Sequence, residues 1–331
     1  PYTERIAWIN ANESKILESA EDPLQNRFWS NQDSPFQFLS FCVEYKRYKK
    51  HLDDFGTPIG FKTGLVISFD GSCSGLQHFS AILRDPIGGK AVNLTESDTV
   101  QDIYQVVADK VIVKLKEDAQ SGTLDDYYID KETGTPQTDK IKYGTRTLAQ
   151  QWLTYGITRK VTKRPVMTLA YGAKEYGFND QIMQDTIEPA LLNGTGLMFV
   201  APRQASGHLA KHIWDAVGQT VTKAVEGMAW LQEMSKLVTK SGHVVTWYTP
   251  LGLPVQQSYV KCDTDILQLR LCGRLKRIYS FKSTGEIDKK KQASGIAPNF
   301  IHSMDATHLM QTVLNSSKQG VTHFAMVHDS Y

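Results

Sequence analysis

The segment from Arg159 to Gly172 constrains this chain most. It sets Arg159 and Lys163 four residues apart, and on a helix that spacing puts both cations on one face. Tyr171 follows two turns later, and Gly172 can end the helix. Two fixed cations and an aromatic ring at a helix end can hold a triphosphate and stack on a nucleotide. An ordinary solvated helix face carries the same charges, so the segment has meaning only in company. Pro165 falls inside the run, where it removes one backbone hydrogen bond. The pattern predicts either a helix that begins near Lys163, with Pro165 in its first turn, or a kinked helix.

At 331 residues, 41% hydrophobic and 22% charged, the chain is an ordinary soluble globular one that can bury a large core. A net charge of +2 does not announce a nucleic-acid binder. The basic residues nevertheless cluster, at Lys46–Lys50, Arg159–Arg164, Arg270–Arg277 and Lys289–Lys291, and local stripes matter more for phosphate than the total. The four cysteines, Cys42, Cys73, Cys262 and Cys272, include no Cys-x-x-Cys pair. They read as free thiols in a reducing compartment, and no His/Cys cluster with metal spacing is expected. No apolar run reaches membrane-spanning length, and no signal-peptide pattern opens the chain. The opening lacks an initiator Met, and an apolar run leads straight into His328–Tyr331, so the chain reads as a piece of a longer protein.

Periodicity predicts helices over 3–20, 34–50, 76–83, 144–155, 162–171, 174–191, 203–240 and 298–315, and a long one from Thr95 to about Lys116. Residues 118–142, polar and rich in Gly, Asp and Thr, predict an exposed insertion. Pro250-Leu251-Gly252 predicts a hairpin turn between 243–247 and 253–259, with 261–283 extending it as a basic ribbon. Leu65–Phe69 and Phe324–Val327 predict short buried strands, each followed by an acid, Asp70 and Asp329. If these strands are neighbours, both carboxylates arrive at one sheet edge, where hard oxygen donors suit two-metal phosphoryl transfer. Otherwise each is an ordinary strand-end residue. His302, with Asp305 three residues on, could be oriented to read a sugar hydroxyl. A Ser-His-Asp hydrolase is disfavoured, because Gly71-Ser72-Cys73-Ser74-Gly75 lacks the Gly-x-Ser-x-Gly elbow.

Taken together, these segments resemble the single-subunit, bacteriophage-type DNA-dependent RNA polymerases, and they stand in that family's order. Asp70–Ser80 looks like its first catalytic motif, Arg159–Phe178 like its nucleotide-binding helix, Gly295–Asp305 like its third landmark, and Val327–Ser330 like its second carboxylate motif. Asp33–Phe36 and Val100–Tyr104 also match, so the resemblance covers the whole chain. Thr168–Glu175 makes it closer to the phage enzymes than to the organellar branch.

The resemblance implies an α+β, mainly helical right-hand fold, with a palm built on a small antiparallel sheet and helical fingers. The palm would take 1–98 and 303–331, and the fingers 99–302. The family's thumb and N-terminal domain would lie outside this chain, as would a lysine just upstream of Pro1. The implied activity is promoter-specific, DNA-templated RNA synthesis from ribonucleoside triphosphates. It would involve two Mg²⁺ ions, double-stranded promoter DNA, the template strand and nascent RNA. A monomer with no membrane association, working in the cytoplasm of a virus-infected bacterium, is implied as well.

Carried over by position, Asp70 and Asp329, with the carbonyl of Gly71, would hold the metal ions. Lys163 would contact phosphate and protonate the leaving group, while Arg159 and Arg164 would bind the triphosphate. Tyr171 and His302 would select the ribose, and Gly172 would belong to the nucleotide-binding set. Tyr104 and His328 would support the site. The stretch 259–283 would read promoter DNA through Gln268, Arg270, Arg274, Lys276 and Arg277.

Two other readings compete. A DNA polymerase or primase-like enzyme would want a bulky gate after its first catalytic aspartate, where this chain has Gly71-Ser72. A non-catalytic nucleic-acid-binding fragment would not need the carboxylates.

Overall fold

A computed structural model describes residues 2–130 and 132–330. The chain divides into two compact units, one ending at Phe69 and the other running from Asp70 to Ser330. The first is a helical hairpin of α1 (Tyr2–Glu21) and α2 (Pro35–Phe55), joined through a 3₁₀ turn at Arg27–Asn31. Proline in the first turn starts α2, and Gly56, at φ 67°, ends it. Trp8, Phe28 and Phe38 pack ring to ring with centroids 5.9–6.3 Å apart. The Tyr45 hydroxyl donates to Glu13 at 2.8 Å, tying the two helices together. The buried strand expected at 65–69 is absent. That run is extended but unladdered, and Val66, Ile67 and Phe69 are exposed. A strand needs a hydrogen-bonding neighbour, and the described residues supply only a bridge at Asp70.

The second unit is mainly helical. Its elements are α3 (Ser74–Ile82), α4 (Pro86–Ala91), α5 (Ile103–Ser121), α6 (Thr145–Tyr155), α7 (Arg159–Leu169), α8 (Glu175–Ile182), α9 (Glu188–Leu192), α10 (Pro202–Thr220), α11 (Thr222–Lys240) and α12 (Lys289–Lys318). Its core, in which Trp152, Phe178, Leu209 and Ile213 are fully buried, lies among α5, α6, α8 and α10. The Trp152 indole donates to the Ala205 carbonyl at 2.8 Å, so this large residue is buried with its polar atom satisfied.

Among the described residues, three two-stranded antiparallel sheets complete the unit: β1 (Asp126–Ile129) with β2 (Pro136–Lys142), β3 (Thr246–Tyr248) with β4 (Pro254–Gln256), and β5 (Val260–Leu271) with β6 (Arg274–Ile287). The expected insertion is thus the tail of α5 plus an exposed hairpin. The ribbon is a sheet of its own, turned by Cys272 and Gly273 at positive φ, the backbone a two-residue hairpin loop needs. The fold is α+β at this level. No helix among the described residues is long and apolar enough to cross a membrane.

Several boundaries differ from expectation for local reasons. α5 begins at Ile103, because Asp102 caps it by accepting from the backbone of Tyr104 and Gln105. The segment expected over 174–191 contains a π turn at Met183–Ile187. Pro189 cannot donate to the carbonyl four residues back, and the widened turn absorbs that loss. The helix expected over 203–240 breaks at Val221 (φ −125°, ψ 51°). α12 starts at Lys289 rather than Pro298, since Asp288 caps it through Lys290 N and Lys291 N. Phe324–Val327, expected as a buried strand, has no ladder, and Val327 is exposed.

Candidate active site

The two acids that follow the apolar runs meet by a turn rather than by a sheet. Val327 and Ser330 exchange backbone hydrogen bonds at 3.1 and 3.0 Å, closing a tight turn with His328 at φ 54°. That turn presents Asp329 at its tip. The amide of Gly71 donates to the Asp329 carbonyl at 3.3 Å, and Asp70 bridges Ser330 antiparallel. Asp70, Gly71 and Asp329 therefore stand side by side, and all three line one cavity of about 450 Å³.

α7 also lines that cavity. The helix starts at Arg159, not near Lys163, and Pro165 lies inside it. Only one backbone bond is forfeited, and Val161, Thr162, Pro165, Val166 and Leu169 form a buried face that offsets the loss. Starting at Arg159 puts Arg159 and Lys163 one turn apart within the helix, and both line the cavity. Lys163 is exposed and forms no ion pair among the described residues. Arg159 Nε lies 2.5 Å from Asp102 Oδ2, and its guanidinium sits 5.4 Å from the centre of the Tyr104 ring. Arg164 is placed differently. Five residues on from Arg159, it is turned to another side of the helix, where it meets Asp185 at 2.5 Å and lines neither active-site cavity.

The end of α7 is fixed by its backbone. Gly172 N donates to Leu169 O at 2.8 Å and Ala173 N to Thr168 O at 3.0 Å, a Schellman closure that requires the left-handed Gly172 (φ 83°). Gly172 contributes this turn and packs toward Ser294 and Pro298 of α12 rather than lining the cavity. The closure delivers Tyr171 to the cavity, where its ring stacks on His302 with centroids 4.7 Å apart and planes 15° from parallel. A second cavity of about 460 Å³, lined by Ser74, Tyr171, His302, Asp305, His328 and Asp329, adjoins the first along Tyr171 and Asp329. Burial raises the Tyr171 phenol above its ordinary pKa, against a hydrogen bond with Ser74 that lowers it, so the hydroxyl remains a donor at neutral pH.

His302 is oriented by Tyr171 rather than by Asp305. Its Nδ1 lies 3.8 Å from Asp305 Oδ2, whereas His78 Nε2 is 2.8 Å from Asp305 Oδ1. Tyr104, held by burial beside Cys73 with its phenol pKa raised, floors the first cavity. Thr162 Oγ1 donates to the Tyr104 carbonyl at 2.7 Å, so α7 is pinned to the start of α5.

Sequence reasoning missed several positioning residues. Asp102 both caps α5 and anchors Arg159. Asn93 donates to Ser72 Oγ at 2.9 Å and to Gln101 O at 2.8 Å, and accepts from Gln101 N at 2.7 Å, tying the Asp70 loop to the approach of α5. Gly75 lets α3 approach α7, since a Cβ there would stand 2.7 Å from Ala170 Cβ and 3.6 Å from Tyr171 Cε1. Gly75→Ala should therefore cost about 1–3 kcal/mol by overpacking, read as a lower denaturant midpoint. Unchanged stability would contradict this close approach. Contrary to the expectation of no metal-spaced cluster, His208, His212 and Asp118 lie together.

The ribbon candidates do not share one face. Gln268 pairs with Arg277, Leu269 with Lys276, Arg270 with Leu275, and Leu271 with Arg274. Strand alternation then groups Gln268, Arg270 and Arg277 on one face and Arg274 and Lys276 on the other. All five are exposed.

Comparison with known proteins gives a family for the whole chain. The family profile described as DNA-dependent RNA polymerase matches residues 1–331. The DNA-directed RNA polymerase of Enterobacteria phage K11 is 50% identical over 347 residues, covering 100% of this chain and 38% of that protein. T7 RNA polymerase of Escherichia phage T7 is 47% identical over 347 residues, covering 100% of this chain and 39% of that protein. The human mitochondrial DNA-directed RNA polymerase is 34% identical over 336 residues, covering 100% of this chain and 24% of that protein. The chain thus spans about two fifths of the length of these phage relatives and is more similar to them than to the mitochondrial enzyme. The chain belongs to the DNA-dependent RNA polymerase family.

Proposed function

We propose that this chain carries the catalytic centre of a phage-type DNA-directed RNA polymerase, performing DNA-templated nucleotidyl transfer from ribonucleoside triphosphates. One observation carries the reading: Asp70, Gly71, Asp329, Arg159, Lys163 and Tyr171 line a single cavity. Carboxylates and cations around one cavity are what transfer of a nucleotidyl group needs, since such reactions depend on positioning and charge neutralisation.

In this reading Asp70, Asp329 and the Gly71 carbonyl form an all-oxygen donor set beside a water-accessible cavity, which fits two Mg²⁺ ions. Bound there, the ions would neutralise phosphate charge and activate the attacking 3′-hydroxyl. Arg159 and Lys163 hold the triphosphate from the α7 side, and Lys163 Nζ gives a proton to the departing pyrophosphate. Asp102 keeps the Arg159 guanidinium aligned until substrate competes for it. Arg164, paired with Asp185, acts at longer range, and Gly172 acts through the turn that sets Tyr171. The stacked Tyr171–His302 pair faces the sugar, with the Tyr171 hydroxyl as donor and His328 at the rim of the same cavity.

At the level of domains, residues 1–98 and 303–331 act as palm and 99–302 as fingers. The exposed β5–β6 ribbon enters the promoter major groove, which admits a two-stranded ribbon. Gln268, Arg270 and Arg277 read bases, while Arg274 and Lys276 on the other face meet phosphate. Promoter duplex, template strand and nascent RNA are the macromolecular partners of a monomer. The phage relatives support action in the cytoplasm of an infected bacterium.

Sugar discrimination tests the reading. In a full-length polymerase carrying this segment, Tyr171→Phe removes the hydroxyl but keeps the ring stacked on His302. Deoxynucleotide incorporation should rise at least about tenfold relative to ribonucleotide incorporation, the loss of one discriminating hydrogen bond. Unchanged discrimination would remove Tyr171 from ribose selection. No Mg²⁺-dependent RNA extension by the unsubstituted protein would reject the reading itself.

A further inference from the structure

Away from the candidate active site, three metal-ligating side chains converge on one point. His208 and His212 stand one turn apart on α10, so both imidazoles leave the same helix face. Asp118 comes from the last turns of α5. His208 Nε2 and His212 Nε2 each lie 2.8 Å from Asp118 Oδ2 and 3.2 Å from each other. The rings stand at 88°, with centroids 4.6 Å apart, so the two Nε2 atoms meet without the rings stacking. The side chains are 7%, 14% and 28% exposed for His208, His212 and Asp118, which leaves the group reachable from the Asp118 side.

We propose that His208, His212 and Asp118 form a binding site for a borderline divalent cation of the zinc class, clamping the end of α5 to α10.

Three donors on a tetrahedral ion at roughly 2.0–2.1 Å stand about 3.3 Å apart. The His208–His212 edge already has that length, and the two edges to Asp118 need to open by only about half an ångström. Two imidazole nitrogens and one carboxylate oxygen select zinc, cobalt or nickel over Mg²⁺, which prefers an all-oxygen shell. This site is thus chemically distinct from the one at Asp70 and Asp329. Burial alone would raise the Asp118 carboxyl, but hydrogen bonds from both histidines hold it below its ordinary range. A fourth donor would have to come from water or from another group.

The clamp has a structural consequence. α5 begins at Ile103, just after Asp102, which caps the helix and anchors Arg159, and Asp118 lies in its last turn. Fixing its far end to α10 steadies the element whose start stands in the candidate active site. The proposal rests on the cluster alone and holds whether or not the chain takes part in polymerisation.

The test uses the chain stripped of metal with a chelator and then titrated with Zn²⁺. The long-range ¹H–¹⁵N spectrum of the unsubstituted protein should show the Nε2 resonances of His208 and His212 shifting together and saturating at about one ion per chain. Co²⁺ should give the visible absorption of a tetrahedral N/O site, and millimolar Mg²⁺ should displace neither ion. His212→Asn and Asp118→Asn should each weaken Zn²⁺ binding at least tenfold, since even outer-shell changes at metal sites cost about 10–100-fold. Zn²⁺ that leaves both Nε2 resonances unmoved in the unsubstituted chain would overturn the proposal. So would affinity unchanged in both variants. Because the spectrum reads the unsubstituted protein, a variant that fails to fold does not obscure the answer.

Discussion

Asp329→Ala, made in a full-length polymerase carrying this segment, should lower RNA synthesis by about a thousandfold or more while leaving the fold intact. The magnitude follows from the several kcal/mol of transition-state charge stabilisation that a metal-holding carboxylate supplies, at about 1.4 kcal/mol per tenfold. The fold should survive because Asp329 joins its neighbours through backbone rather than side chain. Gly71 donates to its carbonyl, and Val327 and Ser330 close the turn around it. Its side chain lines the cavity, so truncation removes a ligand without leaving a buried polar partner stranded. Asp70→Ala should behave alike, and the double variant should be little worse than either single one, because residues that serve one site act as a unit. RNA synthesis within tenfold of the unsubstituted enzyme in Asp329→Ala would remove that carboxylate from catalysis.

Lys163→Ala should cost about 10²–10⁴-fold in kcat, the usual contribution of a positioned proton donor. Lys163 is suited to this role by what it does not do. It is exposed to the cavity and unpaired among the described residues, whereas Arg159 is held by Asp102 and Arg164 by Asp185. Lys163→Arg keeps the charge but not a readily released proton. It should restore nucleotide binding more fully than kcat, measured by single-turnover incorporation across a nucleotide titration. Equal recovery of both would make Lys163 a phosphate anchor only.

Much of this site could be read before the fold was known, and the failures are instructive. The Arg159/Lys163 spacing located a helix face correctly, because two residues four apart share a face wherever the helix starts. Of the two helices the pattern allows, the one that begins near Lys163 with Pro165 in its first turn is not the one formed. The burial of Val161, Thr162, Val166 and Leu169 carries the helix across it instead. The apolar runs before Asp70 and Asp329 suggested strands, but a ladder depends on a neighbour that no local pattern reveals. What joins the two acids is a single bridge and the turn at His328. Asp305 was the obvious partner for His302 by spacing, yet it lies nearer His78, and the stacked Tyr171 ring sets the imidazole. Asp102 has two roles that no local pattern reveals, because its second partner, Arg159, lies far along the chain. The His208/His212/Asp118 cluster runs against the expectation of no metal spacing, and its third member, Asp118, lies on a different helix where no local pattern reveals it.

The direct test of whether Asp70 and Asp329 serve one metal site is Mn²⁺ titration of the ¹⁵N-labelled chain, followed by paramagnetic broadening of its amides. The amides of Asp70–Cys73 and His328–Ser330 should broaden together, at the same Mn²⁺ concentration, and both sets should sharpen in Asp329→Ala. Broadening of one set without the other, or of neither while other amides respond, would contradict a shared site.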